Sequence, residues 1–430
     1  MSESTLVKKM EVSKEQSTVQ QNMKRVILGL QHLIAMFGAT ILVPMITGFD
    51  PSVALIAAGS GTLLFHLVTK GKVPVFLGSS FAFIPVILYV ANTYGDLAYA
   101  QGGLMVAGGI YVILSLLIKK IGIGRIRKYL PAQVVGPMII VIGLSLVPVA
   151  IDMASYGFGL AALTLGTALG VTKFGKGFSK QLSILIAVAT GYLVALAMGG
   201  IVDTTVITEA SLVQMPNFTT PKFDIGAILI IAPVVLAVFM EHIGDITTNG
   251  EVVGKNFIKD PGLNRTLLGD GIATLFASMI GGPANTTYGE NTGVLAITKN
   301  YDPAVLRIAA VFAILLGFVA RVGGVLTSIP VAVMGGISLM LFTMIALVGV
   351  KTLKKNRDVA FQKKNLVIIG SILLLGLGTS YVETYTGIVI GIPVTEGVQI
   401  TGLSLAAIVG VALNAFLNRG ETSTADSVTE

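Results

Sequence analysis

The chain has 430 residues, 53% of them apolar and only 12% charged, with a mean hydropathy of +0.85. Ordinary soluble domains carry about twice that share of charge, so a water-soluble globular protein is excluded. The net charge of +7 is spread over separate loops, which excludes a nucleic-acid footprint, and the absence of cysteine excludes disulfides, thiolate metal ligands and thiol chemistry.

Residues 1–23 are polar and mixed in charge, with no cleavable signal, and are expected to form a flexible tail on the cytoplasmic side. Long apolar stretches then recur, each near the ~20 residues that span a hydrocarbon core. They are predicted at 26–47, 51–69, 73–91, 100–118, 130–150, 157–172, 181–200, 224–244, 266–281, 283–298, 308–326, 330–350, 365–381 and 401–418. Several are short or broken by Gly and Pro, so hydropathy alone would also allow twelve. The basic residues choose between the counts. With fourteen spans and a cytoplasmic N-terminus, 27 of the 29 lysines and arginines fall on the cytoplasmic side, and only Lys222 and Arg321 do not. Cytoplasmic loops are where Lys and Arg accumulate, and a wrong count would scramble the alternation.

The spans divide after the seventh. An offset of 199 aligns Leu130-Pro131-Ala132-Gln133-Val134-Val135-Gly136 with Ile329-Pro330-Val331-Ala332-Val333-Met334-Gly335, each opening the fifth span of its half. Seven is odd, so the second half enters from the opposite face. The predicted fold is therefore an all-α polytopic membrane protein, with 14 transmembrane segments in a 7+7 inverted repeat. That plan is typical of secondary transporters, whose substrate sites lie near the midplane on discontinuous helices in matching positions of the two halves. The third and tenth spans qualify: one contains Gly78-Ser79-Ser80-Phe81-Ala82-Phe83, the other Pro283 and the stretch Asn-Thr-Thr-Tyr-Gly-Glu-Asn-Thr-Gly-Val at 285–294. Both are expected to break into short extended segments, since loose backbone at membrane depth is tolerated where it lines a cavity.

Acidic residues inside the spans are few, and Glu241, Asp245 and Glu290 are the clear ones. Glu241 and Asp245, four apart, share a helix face. A buried ionisable group in a membrane marks a functional site by default. Plainer readings exist: Glu290 fits a capping box with Thr287, and Glu241 could form an internal ion pair, although no Lys or Arg shares its stretch of membrane. Glu241, His242 and Asp245 make a poor metal site, because adjacent residues do not share a helix face. Gly269-Asp270 falls short of an intramembrane aspartyl protease motif, with Leu267 where a glycine is needed. His32, His66 and His242 suit helix-packing hydrogen bonds, Gln31-His32 is a polar pair well inside the first span, and Tyr288 either stacks on a flat ligand or packs. Two carboxylates and main-chain amides with no midplane cation suit a neutral heterocycle bearing ring N–H groups and carbonyl oxygens, and disfavour an anion.

From about Leu30 to Leu417 the chain resembles the nucleobase–cation symporter family, also called nucleobase–ascorbate transporters, and within it the bacterial uracil-transporting branch. The marks are Gln31-His32-Leu33 with Ala35 to Thr40, Leu77 to Phe83, Glu241-His242-Ile243-Gly244, Asp260-Pro261-Gly262-Leu263 and Asn285 to Gly293. The family signature, an acidic or amide residue followed by Asn-x-Gly-x4-Thr, stands as Glu290-Asn291-Thr292-Gly293 through Thr298. The resemblance implies a tail (1–23), core-domain segments 24–119 and 224–328, gate-domain segments 120–200 and 329–418, an extracellular loop at 201–223, and a tail at 419–430. It further implies a homodimer in the cytoplasmic membrane, both termini inside, importing uracil with protons and using no cofactor. Glu241 and Glu290 would hold the base, backbone at Phe81 and Gly289 would add hydrogen bonds, and Tyr288 would line the pocket. Gln31, His32, Ser80 and Asn291 would lie in or behind it. Glu290, where purine-transporting members commonly carry Gln, favours uracil over xanthine or urate. An anion exchanger of the same architecture is the other alternative. Some uracil permeases carry a proton-coupling His where this chain has Asp245, so Glu241 and Asp245 become the candidate proton carriers.

Overall fold

The computed structural model describes residues 3–122, 131–395 and 398–418. Arg125, Arg127, Lys128, Leu130 and the 419–430 tail with Arg419, all used in the readings above, lie outside the described residues. Among these the first half contains α1 (Glu3–Thr47), α2 (Pro51–Val68), β1 (Leu77–Ser79), a single 3-10 turn at Phe81–Phe83, and α3 (Ile84–Tyr94). It continues with α4 (Leu97–Ile121), α5 (Ala132–Ser145), α6 (Val147–Ser155), α7 (Phe158–Phe174) and α8 (Ser183–Met198). The second half contains α9 (Ile225–Ile231), α10 (Val235–Val253), α11 (Leu263–Met279), β2 (Asn285–Thr287) and α12 (Gly289–Thr298). After these come α13 (Pro303–Gly317), α14 (Ala320–Thr327), α15 (Val331–Lys355), α16 (Lys363–Leu373), α17 (Thr379–Thr386), β3 (Ile392–Thr395), β4 (Val398–Ile400) and α18 (Gly402–Leu417).

Among the described residues seven helical stretches are long and apolar enough to cross a membrane, eight if α13 and α14, bent by 81°, count as one, and four shorter apolar helices accompany them. Large apolar side chains such as Ile113, Leu193, Leu347 and Phe416 point outward and are exposed, as a lipid-facing surface requires. Two features differ from expectation. The N-terminal tail is helical from Glu3, in keeping with a segment free of Gly and Pro and rich in Glu, Lys and Gln. The segment before α18 forms an antiparallel hairpin, with Ile392 opposite Ile400 and Pro393 opposite Gln399.

Helix starts are set by aspartate. Asp50 Oδ1 accepts from Ser52 N at 2.7 Å ahead of α2, Asp96 Oδ1 from Ala98 N at 2.9 Å ahead of α4, and Asp302 Oδ1 from Ala304 N at 2.9 Å ahead of α13. Asp224 caps α9 in the same way, accepting from Gly226 N at 2.7 Å. An N-cap carboxylate satisfies orphan N–H groups and suits the positive end of the helix dipole. Close helix crossings rest on small residues. A Cβ on Gly108 of α4 would lie 2.8 Å from Leu275 N and 3.0 Å from Gly271 O of α11, so these helices meet backbone to backbone. Gly349 of α15 meets the Gly136 carbonyl of α5 in the same manner. Two large apolar clusters fill the interior, one around Phe83, Tyr111 and Phe239, the other around Met36, Phe76, Tyr288 and Phe342.

Candidate functional site

Between these clusters β1 and β2 cross as a short antiparallel ribbon, pairing Leu77 with Thr287, Gly78 with Thr286 and Ser79 with Asn285. Ser80 N to Ala284 O (2.8 Å) and Tyr288 N to Phe76 O (3.0 Å) close its two ends. Each strand is held by a threonine from the preceding helix of its own half. Thr62 Oγ1 on α2 accepts from Leu77 N at 2.9 Å; Thr274 Oγ1 on α11 accepts from Asn285 N at 3.2 Å and donates to Asn285 O at 3.0 Å. Ser79 Oγ donates to Thr40 O at 3.0 Å, and Asn249 Nδ2 donates to Pro74 O at 3.0 Å and Thr292 Oγ1 at 3.1 Å. The extended backbone is thus braced on every side, as a polar crossing among apolar helices must be.

Both helices that leave this ribbon lack a side-chain cap. The 3-10 turn at Phe81 starts after Ser80 and α12 starts after Tyr288, and neither residue's side chain accepts from the following N–H groups. First-turn N–H groups have no intrahelical partner. Aspartate occupies them at the starts of α2, α4, α9 and α13; here, as at α5, α10 and α15, the residue before the helix does not. The Thr287–Glu290 capping box does not form. Thr287 Oγ1 turns instead toward Asp270, at 3.4 Å from both carboxylate oxygens, and toward His242 Nδ1 at 3.5 Å. Glu290 is therefore left without that structural task.

Glu241 and Asp245 lie on α10 and Glu290 in the first turn of α12. Glu241 is exposed, Asp245 and Glu290 are half-buried, and Gly244 and Gly289 beside them are exposed too. A Cβ built on Gly244 or Gly289 would meet nothing within 4 Å, so open space fronts both helices. The ion pairs among the described residues are Arg25–Asp302, Lys72–Asp260, Lys222–Asp96 and His242–Asp270, and none includes these three carboxylates. Glu241 feels the charge of Glu290, and Asp245 that of both. The arrangement sets three acceptors on two helices in contact, α10 and α12, beside open space at Gly244 and Gly289.

The other sequence candidates sit around it. Phe81 is half-buried at the turn after β1. Tyr288 is 3% exposed: its ring packs against Gly78 and its hydroxyl donates to Ser79 O at 2.9 Å, so it forms the wall behind Gly289. Asn291 Nδ2 donates to His32 Nδ1 at 3.1 Å and His32 O at 3.0 Å, joining α12 to α1 and placing the imidazole proton on Nε2. Gln31 Oε1, Ser80 Oγ and Asn291 Oδ1 are buried with no hydrogen-bond partner, three polar atoms available near the crossing. His242 is buried, with Nδ1 2.8 Å from Asp270 Oδ2 and Nε2 2.9 Å from Thr266 Oγ1. Sequence reasoning weighed Asp270 only as part of a protease motif and missed Thr266, Thr62 and Thr274; an offset of 208 aligns Leu77 with Asn285, but Thr62 and Thr274 are 212 apart.

Gly78 and Gly289 separate packing from access. A Cβ on Gly78 would sit 2.4 Å from the Tyr288 ring and 2.8 Å from Thr40 Oγ1. Gly78→Ala is expected to cost about 1–3 kcal/mol through overpacking and to lower the melting midpoint, whereas Gly289→Ala should leave it unchanged. Equal shifts in a thermal-unfolding assay would contradict this geometry.

Residues 23–385 match a protein family described as the permease family (Xan_ur_permease). The chain belongs to that family. It is 42% identical over 411 residues to the "Probable uracil permease" of Haemophilus influenzae, covering 94% of this chain and 96% of that one. It is 42% identical over 417 residues to the "Uracil permease" of Bacillus subtilis, covering 93% of each chain. The "Uracil permease" of Escherichia coli K12 is 39% identical over 400 residues, with 90% of each covered. Among solved structures, the transmembrane domain of the cyanobacterial bicarbonate transporter BicA superposes with a TM-score of 0.64 at 15% identity, covering 85% of this chain and 97% of that one. The murine anion transporter Slc26a9 in its inward-facing state gives 0.66 at 11% identity, covering 92% and 68%. At those identities the likeness concerns the fold alone. The permease is a multi-pass membrane transporter rather than an enzyme.

Proposed function

We propose that this permease imports uracil by proton symport across the cytoplasmic membrane. The observation that carries this reading is the set of carboxylates without an ion pair among the described residues, Glu241, Asp245 and Glu290, with open space at Gly244 and Gly289 beside them. Uracil offers the complement: two ring N–H groups for Glu241 and Glu290, and carbonyl oxygens for main-chain N–H groups at Phe81 and Gly289. The names of the relatives point the same way. An anion would meet three carboxylates and no cation, which disfavours an exchanger despite the shared fold, and Glu290 disfavours xanthine or urate. Uptake of labelled uracil into proteoliposomes, with a panel of competing bases and with or without a pH gradient, tests the assignment. Stronger competition by xanthine would move it to a purine carrier, and flux unaffected by replacing both glutamates would move it to an anion exchanger.

In this reading fourteen spans form a 7+7 inverted repeat, broken at the third and tenth, with core segments 24–119 and 224–328 rocking against gate segments 120–200 and 329–418. The resemblance adds a homodimer. Both termini, 1–23 and 419–430, are cytoplasmic, and 201–223 is extracellular. The parent has no cysteine, so single-cysteine variants report topology directly. An impermeant thiol reagent added outside whole cells should label Glu209→Cys and should leave Lys120→Cys and Lys355→Cys unlabelled until the membrane is opened. Labelling of position 355 from outside would end the fourteen-span reading.

A further inference from the structure

A cavity of about 510 Å³ opens between α1 and α13. Arg25 and Arg307 stand at its polar side, and Val26, Ile308, Val311 and Phe312 form its apolar side. Gly29 brings the helices together: a Cβ there would lie 2.8 Å from Ile308 Cγ2 and 3.2 Å from the Val305 carbonyl oxygen. The cavity lies a turn nearer the start of α1, where Arg25 and Val26 project. Val26 and Val311 remain 39% and 45% exposed, so the apolar side opens to the surroundings of the helices.

The two guanidiniums differ. Arg25 Nη2 is 3.0 Å from Asp302 Oδ2, which offsets its charge. Arg307 is exposed and has no hydrogen bond or ion pair among the described residues. Its Nη1 lies beside the turn at Lys70–Lys72, 3.1 Å from where a Cβ on Gly71 would stand. Lys72 is paired with Asp260 at 2.5 Å, while Lys70 adds further positive charge. The combination is a net positive rim above an apolar slot, at the end of the spans where the basic residues gather.

We propose that this cavity binds an anionic phospholipid, with its phosphate on Arg307 and Arg25 and an acyl chain along Val26, Ile308, Val311 and Phe312. A guanidinium matches phosphate with two parallel N–H donors, and basic clusters at the cytoplasmic surface attract acidic lipid heads. Free phosphate shares the head-group chemistry but leaves the apolar slot unused.

The test uses the purified full chain in detergent and native mass spectrometry, with phosphatidylglycerol, phosphatidylcholine or inorganic phosphate added. Wild type should retain phosphatidylglycerol in preference to phosphatidylcholine, and inorganic phosphate should not displace it. Arg307→Gln should weaken retention about fivefold, the scale of one basic residue at an acidic surface. Val311→Trp fills the slot without touching a charge and should weaken retention as well, which keeps the test decisive if the arginine variant misfolds. Unchanged retention in both variants, equal retention of phosphatidylcholine, or displacement by inorganic phosphate would each overturn the lipid site.

Discussion

Replacing Glu290 with glutamine is expected to weaken uracil binding by about 10- to 150-fold while leaving expression and melting behaviour near wild type. The range follows from a hydrogen bond to a charged group, about 1.5–3 kcal/mol. Two observations separate this effect from a structural one. The capping box that would have given Glu290 a role in starting α12 is absent, since Thr287 faces Asp270 and His242. No salt bridge includes Glu290, so the neutral amide strands no buried cation. Glutamine also keeps the side-chain length and one acceptor oxygen, so what changes is charge and the sense of one hydrogen bond. Calorimetry on purified protein measures the affinity. Binding within about twofold of wild type would remove Glu290 from the site, and a parallel fall in melting temperature would mean that it serves the helix after all.

Much of the layout was legible because membrane chains obey few rules. The aspartates before Pro51, Leu97, Ile225 and Pro303 cap helix starts, a signal that the span boundaries predicted above did not draw on. Of the polar, glycine-rich stretches at 78–83 and 285–294, only Gly78 and Ser79, with Leu77 before them, and Asn285–Thr287 form the crossed ribbon, and the chain turns helical again at Phe81 and Gly289. The supports of that ribbon were illegible for a physical reason. Thr62 and Thr274 are isolated threonines in apolar helices, and such a side chain by default returns its hydrogen to the carbonyl one turn back. Only the strand lying across the helix turns them into struts. The role of Asp270 was hidden in another way: its partner His242 is 28 residues away, on a different helix. The hairpin at 392–400 was obscured by its length, since three or four extended residues beside a long apolar helix leave no clear period-2 signal.

Proton-driven accumulation is expected to depend on the two carboxylates of α10 in different degrees. Their spacing of four puts Glu241 and Asp245 on one helix face, with Glu241 exposed and Asp245 half-buried beside it. At an effective dielectric of about 20, two unit charges roughly 5 Å apart repel by about 3 kcal/mol, and the charges of Glu290 and Asp270 add to the repulsion. No lysine or arginine pairs with either carboxylate among the described residues. His242, next in sequence, is poorly placed to serve as the relay, because both its ring nitrogens are engaged, by Asp270 and Thr266. The exposed carboxylate can meet both a substrate N–H and a proton, whereas its neighbour can pass or hold the proton without touching substrate. Glu241→Gln should thus abolish uracil accumulation under a pH gradient, with loss of binding. Asp245→Asn should reduce gradient-driven accumulation several-fold while retaining counterflow of uracil across the same membrane. Uptake and counterflow in proteoliposomes, measured side by side on each variant, separate the two roles. Normal accumulation by Asp245→Asn would show that Glu241 works without a partner on its helix, and that an aspartate in place of histidine at this position has no part in coupling.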